Sequence, residues 1–208
     1  QIKKKNVYAL GWPRIDLFRK PFCNIYSDKV KKIKKKYGNF YIFMSDFSYI
    51  TKYYKEQLLE YYPWGGDKEY IKKWKDYSLA NAKNSFDDFK LFISFLKNLS
   101  KGNKRFKILI RSHPSENIKE WEKNLKGLKN IRFLKPIDDP QPWIMASKGV
   151  LHRGCFTSFQ AFALNKPIAY INLNPNFDKR FLKKKSYQIS FKIKNLLDFY
   201  NWTKKNNV

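Results

Sequence analysis

The 208-residue chain contains two histidines, and each stands at or just after the end of an apolar run. Arg111-Ser112-His113-Pro114 follows residues 106–110, and His152 ends the run 149–152 before Arg153-Gly154-Cys155. Imidazole is the side chain that changes charge near neutral pH, so either histidine could act on a ligand. Either could equally be satisfied within the fold. Arg111 with His113 could neutralise a phosphate or carboxylate, the guanidinium acting as a bidentate fork; alternatively Arg111 pairs with Glu116 and closes its own helix start. Gly154 could admit a ligand close to the backbone or simply supply a positive φ in a tight turn. Thr157, Ser158 and Gln160 could contact a nucleotide ribose or phosphate. The same Thr157-x-x-Gln160 spacing also matches a capping box, which satisfies two helix-end donors with no ligand. Cys155 could be a nucleophile, yet no third group in the sequence equips it as one, and an inert buried thiol fits as well. Ser45, in Ser45-Asp46-Phe47-Ser48, ends a further apolar run at 40–44.

These residues have to be positioned by elements that the apolar pattern makes legible. Residues 148–172 organise the chain: a short strand at 149–152, a tight loop at 153–156, a helix at 157–164 and a buried strand at 168–172. That is a βαβ unit, whose loop after the first strand sits at a helix N-terminus and suits an anion such as a diphosphate. Upstream, residues 40–44, 106–110 and 131–134 read as strands, and 29–37, 85–99, 116–126 and 143–147 as helices. Ser85 is the expected cap and Gly102 the stop of the 85–99 helix; Pro114 and Glu116 suit the first turn of the next one. Strand and helix alternate five times, which predicts an α/β fold with an open, mostly parallel, Rossmann-like sheet covered by helices on both faces.

Such a sheet binds ligands beyond the carboxyl ends of its strands, where strand order reverses. A strand order of 3-2-1-4-5 brings the loops 45–48, 111–116 and 152–158 to one edge, with Arg111, His113 and Gly154 to Ser158 on one cleft and Ser45 on its floor. Past residue 175 the pattern weakens to an expected strand at 187–193 and a terminal helix at 195–202. Residues 1–20 carry a strand-like run at 7–10 and a Gly11-Trp12-Pro13-Arg14 turn. They are expected to be the end of a truncated N-terminal domain or a linker, with 21–208 as the Rossmann-like domain. The aromatic and lysine-rich stretch 49–84, broken at 63–66, could be a single-stranded nucleic acid platform; Tyr70, Trp74 and Tyr77 also recur at helical spacing and would pack a helix on the sheet.

A formal charge of +27 invites a polyanion partner such as nucleic acid or an anionic membrane face. Lysine far outweighs arginine, which argues against dedicated bidentate readout of guanine or phosphate over a wide surface. Lys, Asn, Ile, Phe and Tyr are abundant together, as AT-rich codons would supply, so much of the charge is also explained as a solvated surface. At 43% hydrophobic and 18% aromatic the chain is rich enough for a packed core. No apolar run reaches the roughly 18 residues of a membrane span. Cys23 and Cys155 lack metal-ligand spacing, there is no P-loop, GxGxxG or HExxH motif, and no metal or cofactor is expected. The chain opens on Gln1 with no leader-like stretch, which suggests a cytoplasmic fragment whose N-terminal part is missing.

Arg111-Ser112-His113-Pro114-Ser115-Glu116-Asn117, Trp121, Pro142-Trp143-Ile144, Ala146, His152-Arg153-Gly154-Cys155-Phe156-Thr157-Ser158, Ala161-Phe162 and Lys166-Pro167 together resemble the C-terminal half of bacterial surface carbohydrate biosynthesis proteins. These are similar to capsule-type glycosyltransferases of the two-domain GT-B fold, Kdo transferases included. The segment Gly11-Trp12-Pro13-Arg14-Ile15-Asp16 resembles the G-x-P-R-x-D stretch that closes their N-terminal domain. More loosely, the chain is similar to the nucleotide half of sugar 2-epimerases. The resemblance implies a cytoplasmic enzyme of surface polysaccharide assembly, in peripheral contact with the inner membrane. It would hold a nucleotide-sugar donor here and a glycan or glycolipid acceptor on a second domain, with no specific nucleic acid and no bound metal. Arg111 and His113 would be catalytic, and Ser45, Glu116, His152, Arg153, Gly154, Thr157, Ser158 and Gln160 would face the donor. Where the family has a threonine pair and then Glu-Ala, this chain has Phe156-Thr157 and Gln160-Ala161, so a ribose contact here would lack charge assistance. The competing expectation is a noncatalytic basic module that binds nucleic acid or an anionic membrane surface.

Overall fold

A computed structural model gives the fold and describes residues 13–18, 21–47, 67–102, 105–113, 116–134, 139–174 and 184–206. The strand expected at 7–10 and the break at 63–66 lie outside the described residues. Six short strands form one sheet: β1 (Tyr41–Met44), β2 (Ile108–Arg111), β3 (Ile131–Leu134), β4 (Gly149–His152), β5 (Ile168–Ile171) and β6 (Phe191–Ile193). They pair in the order β3-β2-β1-β4-β5-β6, every pair parallel. The expected order is borne out, and β6 extends it. Strands β1, β4 and β5 are buried throughout, while β3 and β6 expose part of their length, as sheet edges do.

Helices fill the crossovers: α1 (Pro13–Asp16) and α2 (Ser27–Tyr37) precede β1, and α3 (Lys68–Gly102) leads to β2. Then come α4 (Ile118–Leu125), α5 (Gln141–Ala146), α6 (Thr157–Ala163), α7 (Lys185–Gln188) and α8 (Leu196–Lys205). Side-chain alternation along the strands sorts the core into two layers. Tyr41, Phe43, Ile110 and Leu151 face α3, α4 and α8, where Phe92, Leu96, Leu99, Trp121, Phe199 and Trp202 meet them. Ile42, Met44, Leu109 and Val150 face the opposite way, toward Ile144 of α5 and Ala161 of α6, with Val30 and Ile33 of α2 packed alongside. The first layer is held by aromatic contacts, among them Phe43 with Phe92 at 4.1 Å and Phe89 with Trp121 at 4.9 Å between centroids.

Four local expectations are corrected. The helix expected to start at Ser85 starts at Lys68, so Ser85 lies inside α3 and caps nothing; Asp67 Oδ1 accepts from the N–H of Tyr70 instead. The helix expected from 116 begins at Ile118, where the Asn117 side chain accepts from the N–H of Lys119, and this leaves Glu116 free of the helix to turn inward. The strand expected at 187–193 is only Phe191–Ile193, because Lys185–Gln188 closes into a turn of helix. The capping box at α6 does not form: the N-cap position is Phe156, with no side-chain cap, and the Thr157 hydroxyl lies 2.7 Å from the Cys155 sulfur. Among the described residues, no helix is long and apolar enough to cross a membrane.

Candidate functional site at the carboxyl edge of the sheet

Register fixes the centre of the site. Met44 ends β1, with Arg111 beside it on β2 and His152 beside it on β4. The loops that leave these three strands therefore emerge side by side, Arg111 and His152 about 10 Å apart across β1. Strand order reverses here, between β1 and β4, which is where an open α/β sheet forms its binding crevice.

Glu116 joins the first two loops. Its carboxylate is buried, with Oε1 accepting from the N–H groups of Phe47 (2.8 Å) and His113 (3.2 Å) and Oε2 from the indole of Trp121 (2.7 Å). Burial pushes the Glu116 carboxyl above its ordinary range, while these N–H donors pull the other way. Glu116 thus works as a clamp between the loops after β1 and β2. Ser45, the expected floor of the cleft, is buried beside it.

His152 is wholly buried, with both ring nitrogens engaged. Nδ1 accepts from the N–H of Gly154 at 3.0 Å, so the proton sits on Nε2, which meets the Ser190 hydroxyl at 2.8 Å; that hydroxyl donates in turn to the Ser186 carbonyl at 2.6 Å. Burial lowers its pKa to about 3, and Tyr170 packs edge-on to the ring at 5.3 Å. The imidazole is therefore a neutral internal strut that shapes the Gly154 turn, and it offers a ligand neither nitrogen. Gly154 itself has φ +115, a conformation that favours glycine.

Arg153 is held from two sides. Its guanidinium pairs with Asp88 of α3 and lies 4.2 Å over the Phe47 ring, and Asp88 also accepts from the Asn174 amide at 2.7 Å. Ser158 is buried and its hydroxyl donates to the Cys155 carbonyl at 2.9 Å. Burial pushes the Cys155 thiol up to about 11, which keeps it protonated and inert at neutral pH.

The groups that do reach the crevice are fewer. His113 and Asp46 are exposed, and Arg111, Gly154 and Thr157 are half-buried. Although solvent reaches Asp46, the protein packed around its carboxyl strips away part of its hydration and raises its pKa. The charges of Arg153, His113 and Lys184 lower it, which places all three within electrostatic reach. Among the described residues, the buried polar atoms that lack a hydrogen-bond partner within the chain include Ser112 Oγ, Gln160 Oε1 and Asn172 Oδ1. Ser112 and Asn172 stand directly after β2 and β5, at this same edge. Gln160, expected at a ribose, is buried on α6. Sequence reasoning missed Asp46, Asp88, Asn172 and Ser190. Asp46 was visible inside the Ser45 loop, whereas Asp88 and Ser190 are distant in sequence from what they hold. No group of His, Cys, Asp and Glu that could hold a metal ion occurs among the described residues.

No family model matches the chain, and no curated protein matches it. Solved structures do. The structure of UDP-GlcNAc 2-epimerase from Methanocaldococcus jannaschii aligns with 98% of this chain at a TM-score of 0.55 and 11% identity. A crystal structure of the Methanocaldococcus jannaschii enzyme in complex with UDP-GlcNAc and UDP also aligns with 98% of this chain, at a TM-score of 0.49 and 11% identity. The chain spans about half, 49%, of the length of each of these structures. At this identity the likeness establishes the fold: the chain has the Rossmann-like α/β architecture found in GT-B-type enzymes.

Proposed function

We propose that the chain is the nucleotide-sugar-binding half of a two-domain enzyme and that it holds the donor of a sugar-transfer reaction in surface polysaccharide assembly. The observation that carries this reading is the reversal of strand order between β1 and β4, flanked by Arg111 and His113 on one side and the Gly154 turn on the other. The overlap of nearly the whole chain with half of a UDP-GlcNAc 2-epimerase supports both the ligand class and the need for a second half. Residues 1–20 would close that other half, and it would carry the glycan or glycolipid acceptor.

In transfer, an acceptor oxygen bonds to the anomeric carbon as the bond from that carbon to the diphosphate breaks, and the diphosphate leaves with the electron pair. In this reading Arg111 and His113 would meet the developing negative charge, and the Gly154 turn would let the phosphate approach the backbone. The clamps formed by Glu116 and His152 keep both loops in place while charge moves, so little reorganisation is needed. Asp46, a carboxylate that solvent reaches in the loop after β1, would take the proton from the attacking oxygen. The neighbour's chemistry supports a second reading, inversion at C2 of the sugar, with the same donor site.

Calorimetric titration of the chain with nucleotide diphosphates and their sugars tests the proposal. One saturable site is expected, weakened about fivefold or more by His113→Ala and insensitive to added duplex DNA, with no turnover by this half alone. Failure of every nucleotide to bind, or unchanged binding by His113→Ala and Arg111→Lys together, would overturn it. In the longer protein, release of the C2 epimer with no acceptor present would select the second reading.

A further inference from the structure

Charge in this molecule is divided between the two edges of the sheet. Because every crossover helix returns against the strands, the helices end at the edge where strands begin. The last turns there carry Lys34, Lys35 and Lys36 of α2, Lys101 of α3, Lys123 of α4 and Lys204 and Lys205 of α8. The first turns, at the opposite edge, carry Asp28, Glu69, Glu120 and Asp198. Helix dipoles account for that much. They do not account for the segments that lead into the strands, which add Arg105, Lys107, Lys126, Lys129, Lys148 and Lys166. Among the described residues, no Asp or Glu lies in those lead-in segments, while Asp46, Asp88 and Glu116 all lie toward the carboxyl edge.

Two of these lysines are held in place: Lys107 donates to the Tyr37 carbonyl at 2.5 Å and Lys166 to the Ser147 carbonyl at 2.8 Å. Most of the others are exposed, Lys36, Lys126, Lys129 and Lys205 among them. The edge also has an apolar feature. Phe162, near the end of α6, is 56% exposed and borders a groove of about 370 Å³ lined by Lys166, Phe191, Trp202 and Lys205.

We propose that this amino-terminal edge of the sheet is a docking surface for an anionic phospholipid bilayer, with Phe162 entering the headgroup layer between lysines. Six adjacent strands make the edge about 24 Å wide, a broad face rather than a pocket. Lysines act as hydrated point charges that suit a diffuse anionic surface, and an exposed aromatic among them adds the apolar anchor of an interfacial contact. Docked in this way, the carboxyl edge with its crevice points into the aqueous phase, open to a soluble donor. Vesicle binding needs no nucleotide, so its loss leaves the donor-site reading untouched.

The test is cosedimentation of the 208-residue chain with vesicles of phosphatidylcholine alone or mixed with phosphatidylglycerol, at about 0.15 M salt. Each lysine at an anionic surface contributes about fivefold in affinity, so Lys36→Glu/Lys129→Glu/Lys205→Glu should weaken binding to the mixed vesicles by about a hundredfold or more. A control with the same change in net charge at the helix starts, Lys29→Glu/Lys68→Glu/Lys119→Glu, should retain binding within about threefold. Phe162→Ser should weaken vesicle binding without altering affinity for a random DNA duplex. Equal losses in the two triple variants would reduce the effect to net charge and overturn the proposal. Preference for the duplex over mixed vesicles, unaffected by Phe162→Ser, would assign the edge to nucleic acid and overturn it as well.

Discussion

Replacing Glu116 by Gln changes one heavy atom and should loosen two loops. In the native site Oε2 accepts from the Trp121 indole and Oε1 from the N–H groups of Phe47 and His113. A glutamine can keep its oxygen toward the two backbone donors, but its amide then faces the indole N–H with a donor. Trp121 is 1% exposed, so that indole has no water to turn to, and an unsatisfied buried donor costs about 1–3 kcal/mol. The two remaining bonds lose their charge assistance, and relief of the buried charge offsets part of that loss. A net destabilisation of about 2 kcal/mol follows, read as a fall of about 1 M in the urea midpoint at pH 7. The pH dependence carries a second signature. The folded-state pKa lies above the ordinary 4.5, so the native state holds this proton more tightly than the unfolded chain. Stability from this group therefore falls as pH rises from 4.5 through the raised value, by at most about 1.4 kcal/mol per pH unit, and Glu116→Gln removes that slope. An unchanged urea midpoint at pH 7 would refute the clamp, because it would mean that Trp121 and the two loops are held without the carboxylate.

Gly149→Ala should cost about 1–3 kcal/mol in the same assay, since a Cβ there would stand 2.8 Å from the Trp202 ring and 3.2 Å from the Pro167 carbonyl, while Gly102→Ala, whose nearest contact is 3.5 Å, should stay within about 0.5 kcal/mol. Nitrogen NMR of the imidazoles should find His152 neutral, with its proton on Nε2, down to about pH 4, because burial lowers its pKa to about 3. Its folded-state pKa is depressed below the ordinary 6.5, so the stability it confers is lost as pH falls from 6.5 toward 3; a His152 that titrates near 6.5 would contradict the buried strut.

The sheet was legible because short apolar runs bounded by polar loops leave little choice of strand, and alternation with helices leaves little choice of order. Residues 149–152 were read to the residue. The start of α3 was not, because Ser85-Phe86-Asp87-Asp88 imitates a helix N-terminus so well that it splits one helix from the turns before it, although Tyr70, Trp74 and Tyr77 already stand at helical spacing. Thr157-x-x-Gln160 misled in the same way: a sequence match to a capping box says nothing of the Cys155 sulfur that the Thr157 hydroxyl meets instead. At the crevice, the residue types that signal chemistry were found, but their division of labour was hidden. Whether a histidine faces a ligand or braces a turn depends on Ser190, 38 residues away, and no local pattern encodes that pairing.

That division has a consequence for how ligand binding energy would be used. Glu116 ties the loops after β1 and β2 together, and Asp88 ties Arg153 after β4 to Asn174 after β5. His152 and Ser190 tie the end of β4 to the lead-in of β6. Each tie consumes a polar group that sequence reasoning would have given to the ligand, and each extends side-chain bonding past the ends of the strand ladders. A crevice braced in this way has little loop entropy left to lose on binding. Strength of binding would then come from a few groups, His113, Arg111 and the Gly154 turn, with the rest of the polar cluster serving to keep them within reach of one another. Substitutions in the ties should therefore lower stability and binding together, whereas His113→Ala should lower binding alone.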